Sequence, residues 1–472
     1  MKAGPGRGTS HAVRRLLPAL LALLLAPACA ERKPNLLRLY RNAPPPGRAV
    51  ILIPGAFGSR LRDPATETLV WGDTSSLFKK LYRPRDGSAD LLDLPIDEAD
   101  PRRNRDTLEP AGIFERVVGL SLYGTIFSTL DEAGRYTPGD IRDPKPGQNL
   151  FTFDYDWRRD VAESAKLLGE AIERILEARG EREGRVDIVA HSLGGLIARY
   201  YVRYGSEDVL DREAFAPSYE GARHIKNLVL VGTPIAGTMD ALESLLEGAR
   251  ILRRLPARAI LTMPSAYQLL PHPDEPAVLD ERGEPLDADI FDPATWERFG
   301  WSVFGAEPDK EECGRLREEM GAEAGSASCL EERERKRRFV AWALARARRL
   351  IEALEVAGGP PDTVRYAAFG GDCTPTPARV VVARDDEAGY ATYFDPEKLP
   401  RRLRSEALAD RMMAPGDGSV TRESLLGGRE GPGGKGIGLT LTYTGFFCES
   451  HRLLTEETTF QDNLLHLLLE RP

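Results

Sequence analysis

Residues 186–204 constrain the fold more than any other stretch. An apolar run, Val186-Asp-Ile-Val-Ala190, passes through His191-Ser192-Leu193-Gly194-Gly195 and continues as a helical pattern over 196–204. A strand entering a sharp turn, with a helix leaving it, is what a serine nucleophile requires. The hydroxyl is a weak nucleophile, and a strained turn lifts its Oγ above the sheet edge, where a histidine can take the proton. Gly194 leaves the helix room to pack close to the strand. The amide of Leu193, at the helix N-terminus, faces the place where an oxyanion would form. Ala190 stands where the G-x-S-x-G pattern has its first glycine, and alanine is the next smallest residue. The bland alternative is an ordinary strand–helix turn that happens to carry a serine.

The rest of the chain supplies the context that a nucleophile elbow needs. Four more short apolar runs, at 49–53, 150–155, 228–231 and 364–369, resemble 186–190. The first is closed by Pro54-Gly55. Such runs, β-branched and cut off by turn residues, fit strands buried on both faces. Leu167, Leu168, Ala171, Ile172 and Ile175 fall at helical spacing over 162–178. Strand–helix alternation predicts a mainly parallel central sheet flanked by helices, an α/β chain of the α/β-hydrolase type. The chain has 472 residues, 42% of them hydrophobic, ample for one elaborated domain over 48–472. Stretches 75–110 and 268–334, rich in Pro, Asp and Glu, read as surface insertions, the second forming a cap. Residues 331–354 read as a packed helix.

The first thirty residues differ in kind. Lys2, Arg7, Arg14 and Arg15 precede an apolar run at 16–25 and then small residues, the layout of a secretory signal peptide over 1–30. Ala28-Cys29-Ala30 fits ordinary cleavage, while Leu25-Ala26-Pro27-Ala28 before Cys29 resembles a lipobox that would leave Cys29 lipidated. Either route predicts an exported protein, secreted, periplasmic or anchored as a lipoprotein. Residues 31–47, ending in Pro44-Pro45-Pro46-Gly47, read as a linker. Cys313, Cys329, Cys373 and Cys448 then suit two disulfides in an oxidising compartment, paired Cys313–Cys329 and Cys373–Cys448 on chain proximity. The net charge of -9 and the lack of a basic stripe exclude nucleic acid as an expected partner. Neither C-x-x-C nor H-E-x-x-H occurs, so no metal or cofactor is indicated.

A serine hydrolase also needs an acid and a base, expected in the chain order Ser, Asp or Glu, His. Four histidines follow the elbow. His224 comes too early, His272 lies between prolines on a loop, and His466 lies among the leucines of a terminal helix. His451 follows an apolar strand at 437–447 and precedes that helix, where a base would reach the elbow. For the carboxylate two candidates stay open: Asp372 after the run 364–369, and Asp417 in the tight turn Gly416-Asp-Gly-Ser-Val420. Either also reads as a turn residue capping its own backbone.

In order, these landmarks resemble the lecithin:cholesterol acyltransferase-like lipases. They are Ile51-Leu-Ile-Pro-Gly-Ala-Phe-Gly-Ser-Arg-Leu61, Phe153-Asp-Tyr-Asp-Trp-Arg158, the elbow, Gly232-Thr-Pro-Ile-Ala-Gly-Thr238, Pro264-Ser-Ala-Tyr-Gln-Leu-Leu-Pro271, Gly416-Asp-Gly-Ser-Val420 and His451. The resemblance implies Asp417 as the triad acid, His451 as the base and the Ala56 amide as the second oxyanion donor beside Leu193. It also implies a lipid ester substrate, phospholipid or neutral lipid, met at a membrane or lipid surface. The early cysteine pair that closes a membrane-binding loop in mammalian members is missing. Segment 238–264, with Leu242, Leu245, Leu246, Ile251 and Leu252, reads either as a mobile amphipathic lid or as a fixed covering helix. Hydrolysis through an acyl-serine is the expected reaction, with acyl transfer as the alternative. A rival of another class is a non-catalytic lipid-binding surface lipoprotein.

Overall fold

The computed structural model describes residues 34–72, 92–97, 99–103, 106–117, 120–251, 254–305, 313–314, 322–356, 363–385, 389–428 and 439–469. The signal-peptide reading of 1–30 and the lipidation reading of Cys29 lie outside them. Six strands form the central sheet: β1 (Val50–Ile53), β2 (Leu150–Thr152), β3 (Val186–His191), β4 (Ile225–Val231), β5 (Arg365–Gly371) and β6 (Leu441–Phe447). They lie in the order β6-β5-β4-β3-β1-β2, and every neighbouring pair is parallel. Each apolar run in the sequence is one of these strands. The helices that matter for the site are α1 (Val161–Ala178), α2 (Leu193–Tyr204), α3 (Met239–Glu247), α4 (Ala322–Glu355) and α5 (Thr458–Leu469).

Strand alternation divides the side chains between two cores, which is why the runs are apolar throughout. Ile51, Ile53, Ile188, Ala190, Leu228 and Leu230 face one core, filled by Leu168 and Ile172 of α1 and Ile197 and Tyr200 of α2. Val50, Leu52, Val189, Val229 and Val231 face the other, closed by Phe460, Leu464 and Leu465 of α5. Asp160 caps α1, its Oδ1 accepting from the Ala162 amide at 2.8 Å, and its Oδ2 pairs with Arg346 of α4 at 2.7 Å. One carboxylate thus starts one helix and anchors another across it.

Three stretches are better packed than their composition suggested. Among the described residues of 268–334, Val278, Phe291, Trp296, Phe299 and Trp301 are buried in the first core, so this part is packed into the interior. In 75–110 the described part places Leu92 and Leu94 in the interior. Within it too, Asp106 pairs with the fully buried Arg158, which also holds Asp156. The described part of 31–47 is docked, with Leu36 buried against the second core and Tyr40 Oη donating to Asp462 of α5 at 2.8 Å. A one-turn contact of this kind is not visible to composition. Cys313–Cys329 and Cys373–Cys448 are both bonded, the pairing expected from proximity, and the second joins the ends of β5 and β6. Among the described residues, no helix is long and apolar enough to cross a membrane.

Candidate active site

Ser192 sits directly after β3 with φ 52° and ψ −124°, a left-handed conformation that L-residues avoid. Two hydrogen bonds hold it there. Its amide donates to Val231 O at 2.9 Å, and its carbonyl accepts from the Gly195 amide at 2.9 Å. Close packing completes the elbow. A Cβ on Gly194 would stand 2.7 Å from both Ile53 Cγ2 and Pro54 O. One on Gly55 would stand 2.7 Å from the Ser192 Cβ. Glycine at these two positions is therefore what lets the 54–57 loop lie against the nucleophile.

Asp417 and His451 line the same cavity as Ser192 and are bonded to each other. His451 Nδ1 and Asp417 Oδ2 are 2.8 Å apart. The other carboxylate oxygen accepts from the amides of Val420 at 2.7 Å and Ser419 at 3.0 Å. The His451 amide in turn donates to Asp417 O at 2.9 Å. The carboxylate is 1% exposed. Burial pushes its pKa up, but the imidazole beside it and the two turn amides more than offset this, leaving it below the ordinary carboxylate value. For His451, burial disfavours the charged ring. The Asp417 carboxylate outweighs that, with Asp240 adding to it, so its pKa lies above the usual imidazole value. With Nδ1 engaged by Asp417, Nε2 is the nitrogen left for proton transfer.

Asp372 is placed elsewhere. Its Oδ2 is 3.7 Å from Arg422 and it makes no bond to His451. His224 contacts Gly184 O at 3.3 Å, His272 pairs with Glu355 at 2.7 Å, and His466 is exposed on α5. Only His451 of these joins the cavity around Ser192.

The cavity measures about 1520 Å³. Ala56, Ser192, Asp417 and His451 line it, and Leu246, Ile251, Ile260 and Leu269 give it an apolar wall. That wall belongs largely to segment 238–264. Its α3 buries Leu242 and Leu245 in the first core, and its start is fastened to the acid turn. Thr238 Oγ1 donates to Ser419 O at 2.5 Å, and Ser419 Oγ bonds the Asp240 carboxylate. The described residues of 238–264 thus border the cavity, and Leu252 lies outside the described residues.

Four residues at the site carried no role in the sequence. Asp240 and Ser419 border the acid, and Tyr123 and His191 lie beneath the elbow. His191 was in plain view beside Ser192. Nothing in the sequence marks Tyr123.

The comparisons agree with this architecture. The family model for lecithin:cholesterol acyltransferase matches residues 144–283, which include β2 to β4 and the elbow but neither Asp417 nor His451. The uncharacterized protein YJR098C of Saccharomyces cerevisiae is 24% identical over 54% of this chain and 33% of its own length. Phospholipase A(1) LCAT3 of Arabidopsis thaliana is 23% identical over 48% of this chain and 52% of its own. The chain thus spans a third to about half of these curated relatives. A solved chain of the Tle4-Tli4 complex covers 89% of this chain and 98% of its own with a TM-score of 0.51. At 15% identity that likeness is one of fold. The parallel sheet and the elbow are those of an α/β hydrolase, and over residues 144–283 the chain is similar to the lecithin:cholesterol acyltransferase family.

Proposed function

We propose that the protein is an exported serine hydrolase that cleaves lipid acyl esters, with Ser192 as nucleophile, His451 as base and Asp417 as the acid that orients it. The observation that carries this is one strained serine sharing a large, partly apolar cavity with a histidine bonded to a buried carboxylate. In the reaction, His451 Nε2 takes the proton of Ser192 Oγ as the oxygen attacks the acyl carbonyl carbon. The oxyanion is met by the amides of Ala56 and Leu193, the second at the positive end of α2. His451 then returns the proton to the leaving alcohol, and an acyl-serine remains. Water deprotonated by His451 attacks that ester and frees the acid and Ser192. A lipid alcohol in place of water would make the product of acyl transfer.

Support for a lipid substrate comes from the apolar wall of Leu246, Ile251, Ile260 and Leu269, and from the relative named a phospholipase A(1). Two disulfides, together with the leader-like residues 1–30, support export, with Cys29 lipidated or removed. The test is product analysis on mixed phospholipid and neutral-lipid vesicles, with and without an added long-chain alcohol. Free fatty acid should appear with the wild-type protein and vanish with Ser192→Ala. Unchanged fatty acid release by Ser192→Ala would overturn the proposal.

A further inference from the structure

Beneath the elbow, four hydrogen bonds run in one chain through Tyr123 and His191, two side chains that the reaction does not use. The Gly55 amide lies 3.0 Å from Tyr123 Oη, and that oxygen lies 2.9 Å from His191 Nδ1. His191 Nε2 lies 3.0 Å from the carbonyl oxygen of His451. The His451 amide then reaches Asp417 O at 2.9 Å. Tyr123 and His191 are 8% and 7% exposed, so solvent does not compete for these bonds.

The chemistry of the end groups fixes every proton. A carbonyl oxygen only accepts, so His191 Nε2 carries the hydrogen and donates to His451 O. The neutral ring then has a bare Nδ1, which accepts, so Tyr123 O–H donates to it. An amide N–H only donates, so Tyr123 Oη accepts from Gly55. No alternative arrangement of neutral groups satisfies all four. Both side chains are held neutral: burial, helped by His451, pushes the His191 pKa down to about 3. Burial likewise raises that of Tyr123 above its ordinary value.

We infer that Tyr123 and His191 are positioning residues, a buried strut that sets the distance between the 54–57 loop and the backbone of His451. The inference rests on the reading of Ser192, His451, Ala56 and Leu193 given above. The two ends of the strut are the loop that offers the Ala56 amide and the turn that carries the base, which are far apart in sequence. Between them lies Ser192, the residue after His191. A ring at 191 thus clamps both partners of the nucleophile from below, where a residue touching only one would leave the other free. The geometry it holds matters most when the oxyanion and the proton transfer must be served together, so its loss should fall on turnover rather than on binding.

The strut can be dissected from either end. Tyr123→Phe removes the oxygen and strands the Gly55 amide. His191→Gln keeps a donor near the Nε2 position and loses the bond to Tyr123. His191→Asn keeps a polar atom near Nδ1 and loses the bond to His451. Each is measured for kcat and KM on a soluble p-nitrophenyl ester, with Ser192→Ala alongside and thermal unfolding as the control for folding. Tyr123→Phe and His191→Asn should each lower kcat by about tenfold or more with KM little changed. The double variant Tyr123→Phe/His191→Asn should be scarcely worse than the worse single one, because both break one chain. His191→Gln, which breaks the same link as Tyr123→Phe, should lose about as much as that variant. Wild-type kcat in a folded Tyr123→Phe, or fully additive losses in the double variant, would overturn the strut while Ser192→Ala stays inactive. Activity in Ser192→Ala would overturn the catalytic reading and the strut with it.

Discussion

Ser192 stands on ten consecutive residues, 186–195, whereas Asp417 and His451 come from two turns 34 residues apart, beyond β5 and β6. The nucleophile is placed by local chemistry: a strand, a strained turn, a glycine under the helix. The acid–base pair is placed by tertiary contacts. The Asp417 turn follows a short strand, Met413–Gly416, paired antiparallel with Thr374–Pro377. His451 opens a 3-10 turn after β6 and is held from below by His191. The Cys373–Cys448 bond fastens the ends of β5 and β6 beside both turns. The elbow is thus built from one continuous stretch and braced by Val231 and the 53–55 loop, whereas the acid–base side is assembled from two separate turns.

The largest expected effect that separates the two sides comes from Asp417→Asn. An amide in place of the carboxylate leaves the His451 tautomer wrong, so ester hydrolysis should fall by about 10⁴-fold. Asp372→Asn, on the Arg422 pair, should change the rate by no more than about twofold. A comparable loss at Asp372 would reassign the acid. Next in size is the disulfide. Replacing Cys373 and Cys448 by serine should cost about 2–4 kcal/mol in denaturant-induced unfolding. An unchanged unfolding midpoint would mean that the acid–base side does not lean on that bond.

The smallest expected effect is electrostatic. Protonated His451 cannot take the serine proton, so the rate should fall as pH drops through its raised pKa. Asp240 is one of the groups that raise it. Removing that charge with Asp240→Asn lowers the pKa, and the acid limb of the pH–rate profile should move to lower pH. A limb that stays in place would show that segment 238–264 does not tune the base.

The same contrast explains what was legible in the sequence. Each of the six strands and helices α1 and α2 followed from apolar periodicity, because burial on one or both faces writes itself into consecutive residues. The elbow was legible for the same reason. Between Asp372 and Asp417 the spacing of residues gave no decision, since only the fold says which carboxylate reaches His451. Tyr123 lies 68 residues from the groups it bonds, Gly55 and His191, and leaves no pattern at all. Insertion 268–334 misled in another way: its charges outnumber the few aromatic residues, Trp296 and Trp301 among them, that pack it into the core.

In the proposed reaction Ser192 attacks the substrate. Labelling the intact protein with a fluorophosphonate and mapping the adduct by peptide mass spectrometry tests it most directly. One adduct is expected, on the peptide carrying Ser192, absent from Ser192→Ala and formed much more slowly by Asp417→Asn. An adduct on a different residue, with Ser192 unmodified, would contradict the claim.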